Sequence, residues 1–434
     1  MRAISALACG ILLPSLATAQ APFSVGGDPR VDPNDFRVTQ FASGLDNPVS
    51  MQLLPDGSFL VGTDGALVRL VDGDGDGVAD GPATLLASLP GLVASVRLGG
   101  ELAFAAVNQT IFVLRRGATP ADAFSVEDSF DIQIPFPWSH ITFGLAVREL
   151  GGDLFELFFN VGSKQDDVAT SVTVSLTGLV TGTVEPDSIY RVVIDDSGAS
   201  LASSGLEKIA SGVRNGFGIA FHPLTGDLYF EDNSIDGTVA PFQVSADELN
   251  RIALGDIDGA VEDFGFPDSY VEYITGNIVG SSIQPIVAFQ PIPPDDSKSE
   301  GPAEIRFAPP GFPPGLNTGL FVGFHGRFQD AGASNPTNPV VYVDLDTLEY
   351  FHFVSNAEVS IGHPDGLLAT DDSLFVSDFT NVDGFINPGT GSIYQIKSLV
   401  TPPAVPAFPL GSGASALAVL LAWLAAAAYA RFRN

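Results

Sequence analysis

Cysteine is almost missing from this chain. The one residue, Cys9, sits in an N-terminal apolar run, so no disulfide braces the body and stability must come from the size of the core. Basic side chains are scarce as well: 19 Lys and Arg stand against 51 Asp and Glu, a formal charge of -32. Such a field repels nucleic acid and anionic lipid surfaces and favours cation binding, which excludes a nucleic-acid partner. No stretch from residue 36 to 398 holds a helical period; short apolar, aromatic and β-branched runs alternate with Gly, Pro, Asp and Asn, the pattern of an all-β body. Also missing are a serine nucleophile elbow, His or Cys clusters at metal-ligand spacing, and a Gly-rich phosphate loop leading into a helix. These absences argue against serine, cysteine or zinc hydrolysis and against nucleotide chemistry.

The two ends carry targeting patterns. Arg2, an apolar run from Ile4 to Leu16 and then Ala17-Thr18-Ala19 read as a secretory signal over residues 1–19, so an exported protein is expected, in the periplasm or at the cell surface. At the other end a Pro- and Gly-rich linker (399–413) leads to an apolar run (414–430) and a basic tail (431–434). The run just reaches spanning length and the arginines behind it would stay cytoplasmic, so a transmembrane helix is expected to tether the body to the membrane. The same order resembles bacterial C-terminal sorting signals, in which a protease processes the end. Both a plain anchor and a processed one fit.

Within the body a loose unit recurs: an entry turn, an apolar strand, a tight turn, a second strand and a later strand of V-x-V or I-Y-x-I type. The copies open at Gly44, Gly91, His140, Gly212, Gly301 and Gly362. One such unit leaves a hydrophobic sheet face bare, and radial stacking covers all the faces without long free edges. A six-bladed β-propeller over residues 36–398 is therefore expected, with a pair of β-sandwiches as the competing architecture.

Several residues carry candidate chemistry. In "DGDGDGVAD" the carboxylates of Asp72, Asp74, Asp76 and Asp80 fall at the first, third, fifth and ninth positions of a calcium loop. The twelfth position is Ala83 instead of the usual Glu, and a solvated acidic hairpin is the plainer alternative. His140 opens the third unit, near the axis, where an imidazole could serve as a general base. Arg214 and Asn215 open the fourth unit at the matching place, and a guanidinium beside a carboxamide suits a planar anion rich in oxygen. Arg327, His325 and His363 begin or end strands at the same mouth.

Taken together, "GVRNGFGIAFHPLTGDLYFEDN" with "DELNRI" and "FGFP", "HITFG" with "NVGS", and "HPDGLLATDDSLFVSDFTNVDG" with "GSIYQI" resemble the soluble quinoprotein glucose/sorbosone dehydrogenases. That resemblance implies a six-bladed propeller binding pyrroloquinoline quinone (PQQ) and calcium at its axis. It implies that His140 takes the proton of a sugar C1 hydroxyl while hydride passes to the quinone, and that Arg214 and Asn215 hold the cofactor's oxygens. It also implies that the backbone carbonyls of Asn233 and Ser234 bind the cofactor's calcium, with Asp232 beside them, and that Arg327 faces a cofactor carboxylate. The pattern departs at Ser163, where glucose-oxidising members often carry Asp, and in the final blade, whose usual arginines are replaced. An unnamed electron acceptor would complete the reaction. Two alternatives are a non-catalytic surface propeller that binds a glycan or protein, and a lactonase-like calcium hydrolase using Asp232, Asn233 and Asp365.

Overall fold

The computed structural model describes residues 22–141, 144–235, 245–290, 301–326, 337–355, 361–382 and 387–400. The expected signal segment, the linker, the 414–430 run, the basic tail and Arg327 lie outside the described residues, among which no helix is long and apolar enough to cross a membrane.

Among the described residues the chain builds six blades, each around four antiparallel strands that pair mostly with their sequence neighbours; Val174–Gly178 and Gly182–Val184 extend blade two, and Glu262–Asp263 joins the outer strand of blade three in parallel. Blade one holds Met51–Leu53, the two arms of Phe59–Leu70 and the first part of Thr84–Gly99. Phe59–Leu70 doubles back at Asp64-Gly65, which brings Arg69 Nη2 to 2.7 Å from Asp56 Oδ2. Thr84–Gly99 then crosses into blade two, where its second half pairs with Leu102–Val107, followed by Thr110–Arg115 and Ser125–Ile132. Blade three is Leu145–Gly151, Leu154–Val161, Ser188–Asp195 and Ala202–Ser211. Blade four is Ile219–Phe221, Leu228–Asp232, Asp247–Ile252 and Val287–Phe289. Blade five runs Pro302–Phe307, Leu320–Phe324, Val340–Val343 and Tyr350–Val354. Blade six takes Pro364–Ala369, Ser373–Asp378 and Gly391–Ser398, and is completed by the first strand of the body, Phe36–Leu45. The last blade thus closes on the beginning of the chain.

The core is divided among the seams. Six hydrophobic clusters each fill the space between one blade and the next, including the seam that joins blade six to blade one. In that closing seam Phe59 packs on Phe41 and Phe375, with both ring centroids at 4.6 Å. Removing such a ring costs about 3–5 kcal/mol. Close approach of neighbouring blades near the axis requires glycine: a Cβ at Gly366 would stand 1.5 Å from the Val49 carbonyl oxygen, and one at Gly323 would stand 2.1 Å from that of Pro364. This closed ring of seams is a propeller, and it leaves no place for the competing pair of sandwiches.

Inner strands that all run the same way gather two kinds of residue at one end of the axis: those just before an inner strand and those just after a second strand. His140, Arg214, Asn215 and His363 belong to the first kind, and Ser163, Asp232, Asn233, His325 and Asp378 to the second.

Candidate functional site

The mouth is built around the side chains that cap the inner-strand entries. Asp232, at the end of its strand, accepts the amides of Arg214 and Asn215 at 2.8 and 2.6 Å. Asn160 does the same for Gly144 in blade three, and Asp378 for His363 in blade six. This device repeats from blade to blade and fixes the entry turn that carries each candidate side chain.

His140 is buried, and the hydrogen bonds around it define its tautomer. Ser163 donates its hydroxyl proton to the Gln165 carbonyl, so its Oγ accepts from Nδ1–H of His140 at 2.7 Å. Nε2 is left as the basic nitrogen. Burial, and then the Arg214 charge, push the imidazole down to about 3, which keeps it neutral at ordinary pH. Trp138 Nε1 donates to the Gly162 carbonyl, and the amides of Ser139 and His140 donate to the carbonyls of Lys164 and Ser163, so the loop carrying His140 is fastened to the segment beside it.

Arg214 is 1% exposed and reaches the same place from blade four. Its Nε donates to the Asp166 carbonyl at 2.9 Å, and Nη2 lies 3.3 Å from Asp166 Oδ1. That same Oδ1 lies 3.3 Å from His140 Nε2. The carboxylate oxygen therefore sits against both the imidazole and the guanidinium. Around the mouth Arg214 Nη1 reaches the Asn233 carbonyl, and Asn233 Nδ2 reaches Pro302 O. Further on, the His325 and His363 rings stack with centroids at 4.0 Å, and His325 Nδ1 meets Asp365 Oδ1 at 2.6 Å. Asn215 Oδ1 is buried and accepts no hydrogen bond from the described residues.

Below this rim lies an excess of buried acid. Asp232 and Glu248 face each other in register on adjacent strands, with Glu231 and Asp247 beside them. Burial raises Asp232 to about 7 and Glu248 to about 8, and it raises Glu231 well above the usual carboxylate range, each acid adding to its neighbours' effect. Asp232, Glu248, Ser234, Ser245, Tyr270 and Arg214 line a small cavity with about 20 Å³ open to the centre of a water-sized sphere, room for one small occupant. The floor is different: Arg97 from blade two and Glu304 from the opposite blade five meet across the axis through two contacts of 2.9 Å, and Arg306 stands 3.5 Å from the same carboxylate. Burial lowers Arg306 to about 10.

The site brings His140, Arg214 and Asn215 to one mouth, with Asp232, Asn233 and Ser234 in its wall. Asp232 spends both oxygens on backbone amides, and the Asn233 carbonyl already faces Arg214. In the acidic loop the carboxylates of Asp72, Asp74 and Asp76 lie within 4.8 Å of one another. Asp80 is not in that group; its Oδ2 accepts the Gly73 amide at 2.6 Å. The sequence did not single out Asp166, Glu231, Glu248, Arg97 or Glu304.

No family model and no curated protein matches this chain. Solved structures do. A Trichoderma reesei carbohydrate-active enzyme of family AA12 superposes with TM-score 0.57 at 17% identity, covering 87% of this chain and 99% of that one. The PQQ domain of pyranose dehydrogenase from Coprinopsis cinerea, in its holo form, gives 0.53 at 16% identity over 84% and 96%. The PQQ-bound aldose sugar dehydrogenase of Streptomyces coelicolor gives 0.54 at 16% identity over 83% and 98%. This chain shares their fold.

Proposed function

We propose that this chain is an exported, PQQ-dependent sugar dehydrogenase, tethered by its C-terminal helix or released by processing, that oxidises a C1 hydroxyl and passes electrons to an external acceptor. The observation that carries this reading is the neutral His140. Ser163 pins its Nδ1 and its basic Nε2 points to an anion position shared with Arg214. Neighbours of the same fold, named as PQQ-bound or PQQ-domain sugar dehydrogenases, support it.

The residues fit a carboxylated quinone only together with a cation. Arg214 and Asn215 can meet anionic and carbonyl oxygens, but the buried acids beneath them, wherever they ionise, would repel a trianion that arrives alone. A divalent ion suits that excess, and the unpartnered Asn215 Oδ1 offers a hard oxygen acceptor. When bound, the cofactor supplies a quinone that accepts a hydride, that is, two electrons with one proton. His140 Nε2 takes the hydroxyl proton as the C1–H bond gives up its electron pair, and the sugar leaves as the lactone. The Arg214 charge beside His140 disfavours a lasting imidazolium. The test is aldose-dependent reduction of PQQ by the calcium-loaded protein. His140→Ala is expected to lower turnover at least about 100-fold, the usual scale of a lost general base, and an unchanged rate would refute the assignment.

A further inference from the structure

Arg214 and His140 are not presented to solvent in this structure; both are held by one loop, residues 163–166. Ser163 takes Nδ1 of His140, and three residues later Asp166 closes over Nε2. The guanidinium of Arg214 fastens Asp166 twice, through its carbonyl oxygen and through Oδ1. The two partners differ in exposure: the Arg214 side chain is 2% exposed, whereas that of Asp166 is 49% exposed and faces solvent on one side.

We propose that Asp166 is a positioning residue that keeps the place of the ligand's anionic oxygen, so that a ligand must displace it and in doing so uncovers the base. Two consequences follow from charge. While Asp166 is in place, Nε2 faces a carboxylate and cannot reach a substrate hydroxyl, and the guanidinium is already neutralised. An anion that takes over Arg214 removes the clamp on Asp166 and frees Nε2 in the same event. Binding of the anion and uncovering of the base are therefore coupled. The ligand class is an oxyanion or quinone oxygen flanked by carboxylates. Naming it a quinone rests on the reading above; the displacement does not.

The test uses the full chain and its Asp166→Asn variant, which keeps the shape and removes the charge. Two probes are titrated by calorimetry: inorganic phosphate in calcium-free buffer, and PQQ with calcium. The ¹⁵N signal of His140 Nε2 is followed throughout. The variant is expected to bind phosphate about tenfold more tightly, the scale of one charged hydrogen bond that no longer has to be broken. In the parent chain, phosphate is expected to shift the Nε2 signal toward its position in the variant. Equal or weaker phosphate binding by the variant would overturn the proposal, as would an Nε2 signal in the parent that ignores bound phosphate, a readout that stands even if the variant does not fold. If phosphate binding tightens while neither protein takes up PQQ, displacement stands and the quinone reading falls. If both bind PQQ equally and phosphate equally, the quinone reading stands and displacement falls.

Discussion

Two buried charged regions lie along one axis and behave in opposite ways. On the floor, Arg97 and Glu304 satisfy each other across the ring with two short contacts, and that pair joins opposite blades. Under the rim, Glu231, Asp232, Asp247 and Glu248 are buried together near Arg214, and the pKa values of Glu231, Asp232 and Glu248 rise. The first arrangement is complete by itself. The second is a standing electrostatic cost that a fold without a task would have replaced with apolar side chains. The comparison teaches where to look for ligand: at the region whose charge the protein has not balanced.

Breaking the complete pair should do the most harm. Arg97→Ala leaves the buried Glu304 with only the Ile305 amide at 3.2 Å and Arg306 at 3.5 Å among the described residues, and a loss of about 3–5 kcal/mol is expected in urea unfolding. Easing the unbalanced region should have the opposite sign: Glu248→Gln is expected to stabilise the protein by about 1–3 kcal/mol at pH 8 and by almost nothing at pH 4, where both states are protonated. A gain that did not depend on pH would show that burial of the charge is not the cause.

A pH profile sharpens the same contrast. Asp232 and Asp378, raised to about 7, and Glu248, raised to about 8, hold protons in the folded chain that the unfolded chain has lost, so stability falls as pH rises toward those values. His140, lowered to about 3, and His363, lowered to about 4, work the other way, but only below their unfolded value of 6.5. Between pH 6.5 and 8 the acids act alone, and the thermal midpoint should decline. Millimolar calcium should flatten that decline, and a midpoint that rises across this range would contradict the acid excess. The smallest effect is expected at the exposed loop: Asp74→Asn should change calcium-free stability by no more than about 0.5 kcal/mol, since its carboxylate is solvated.

Much of the fold was legible because each blade announces itself locally. The entry turns at Gly44, Gly301 and Gly362, the hairpins after them and the V-x-V strands depend on near neighbours in sequence, and their number alone pointed to radial closure. His140 and Arg214 were legible for the same reason, standing at equivalent places in successive units. Asp166 was hidden among "QDD", three polar residues in a row, and nothing local tells which one turns inward. Arg97 and Glu304 are 207 residues apart on opposite blades, so their pairing appears only once the ring closes. A scarce Arg inside the apolar run "VASVRLGG" was the one available hint. The acids Glu231 and Glu248 sat inside quoted stretches, yet burial, which gives them their meaning, is a property of the whole ring.

The most direct measurement is an equilibrium titration of the full chain with PQQ, with and without calcium, followed by the cofactor's absorbance. Saturable binding that requires calcium and weakens at least about 100-fold in Arg214→Ala, the scale of a lost buried charge-assisted contact, is the result this account predicts. No binding at millimolar calcium, or binding indifferent to Arg214, would contradict it.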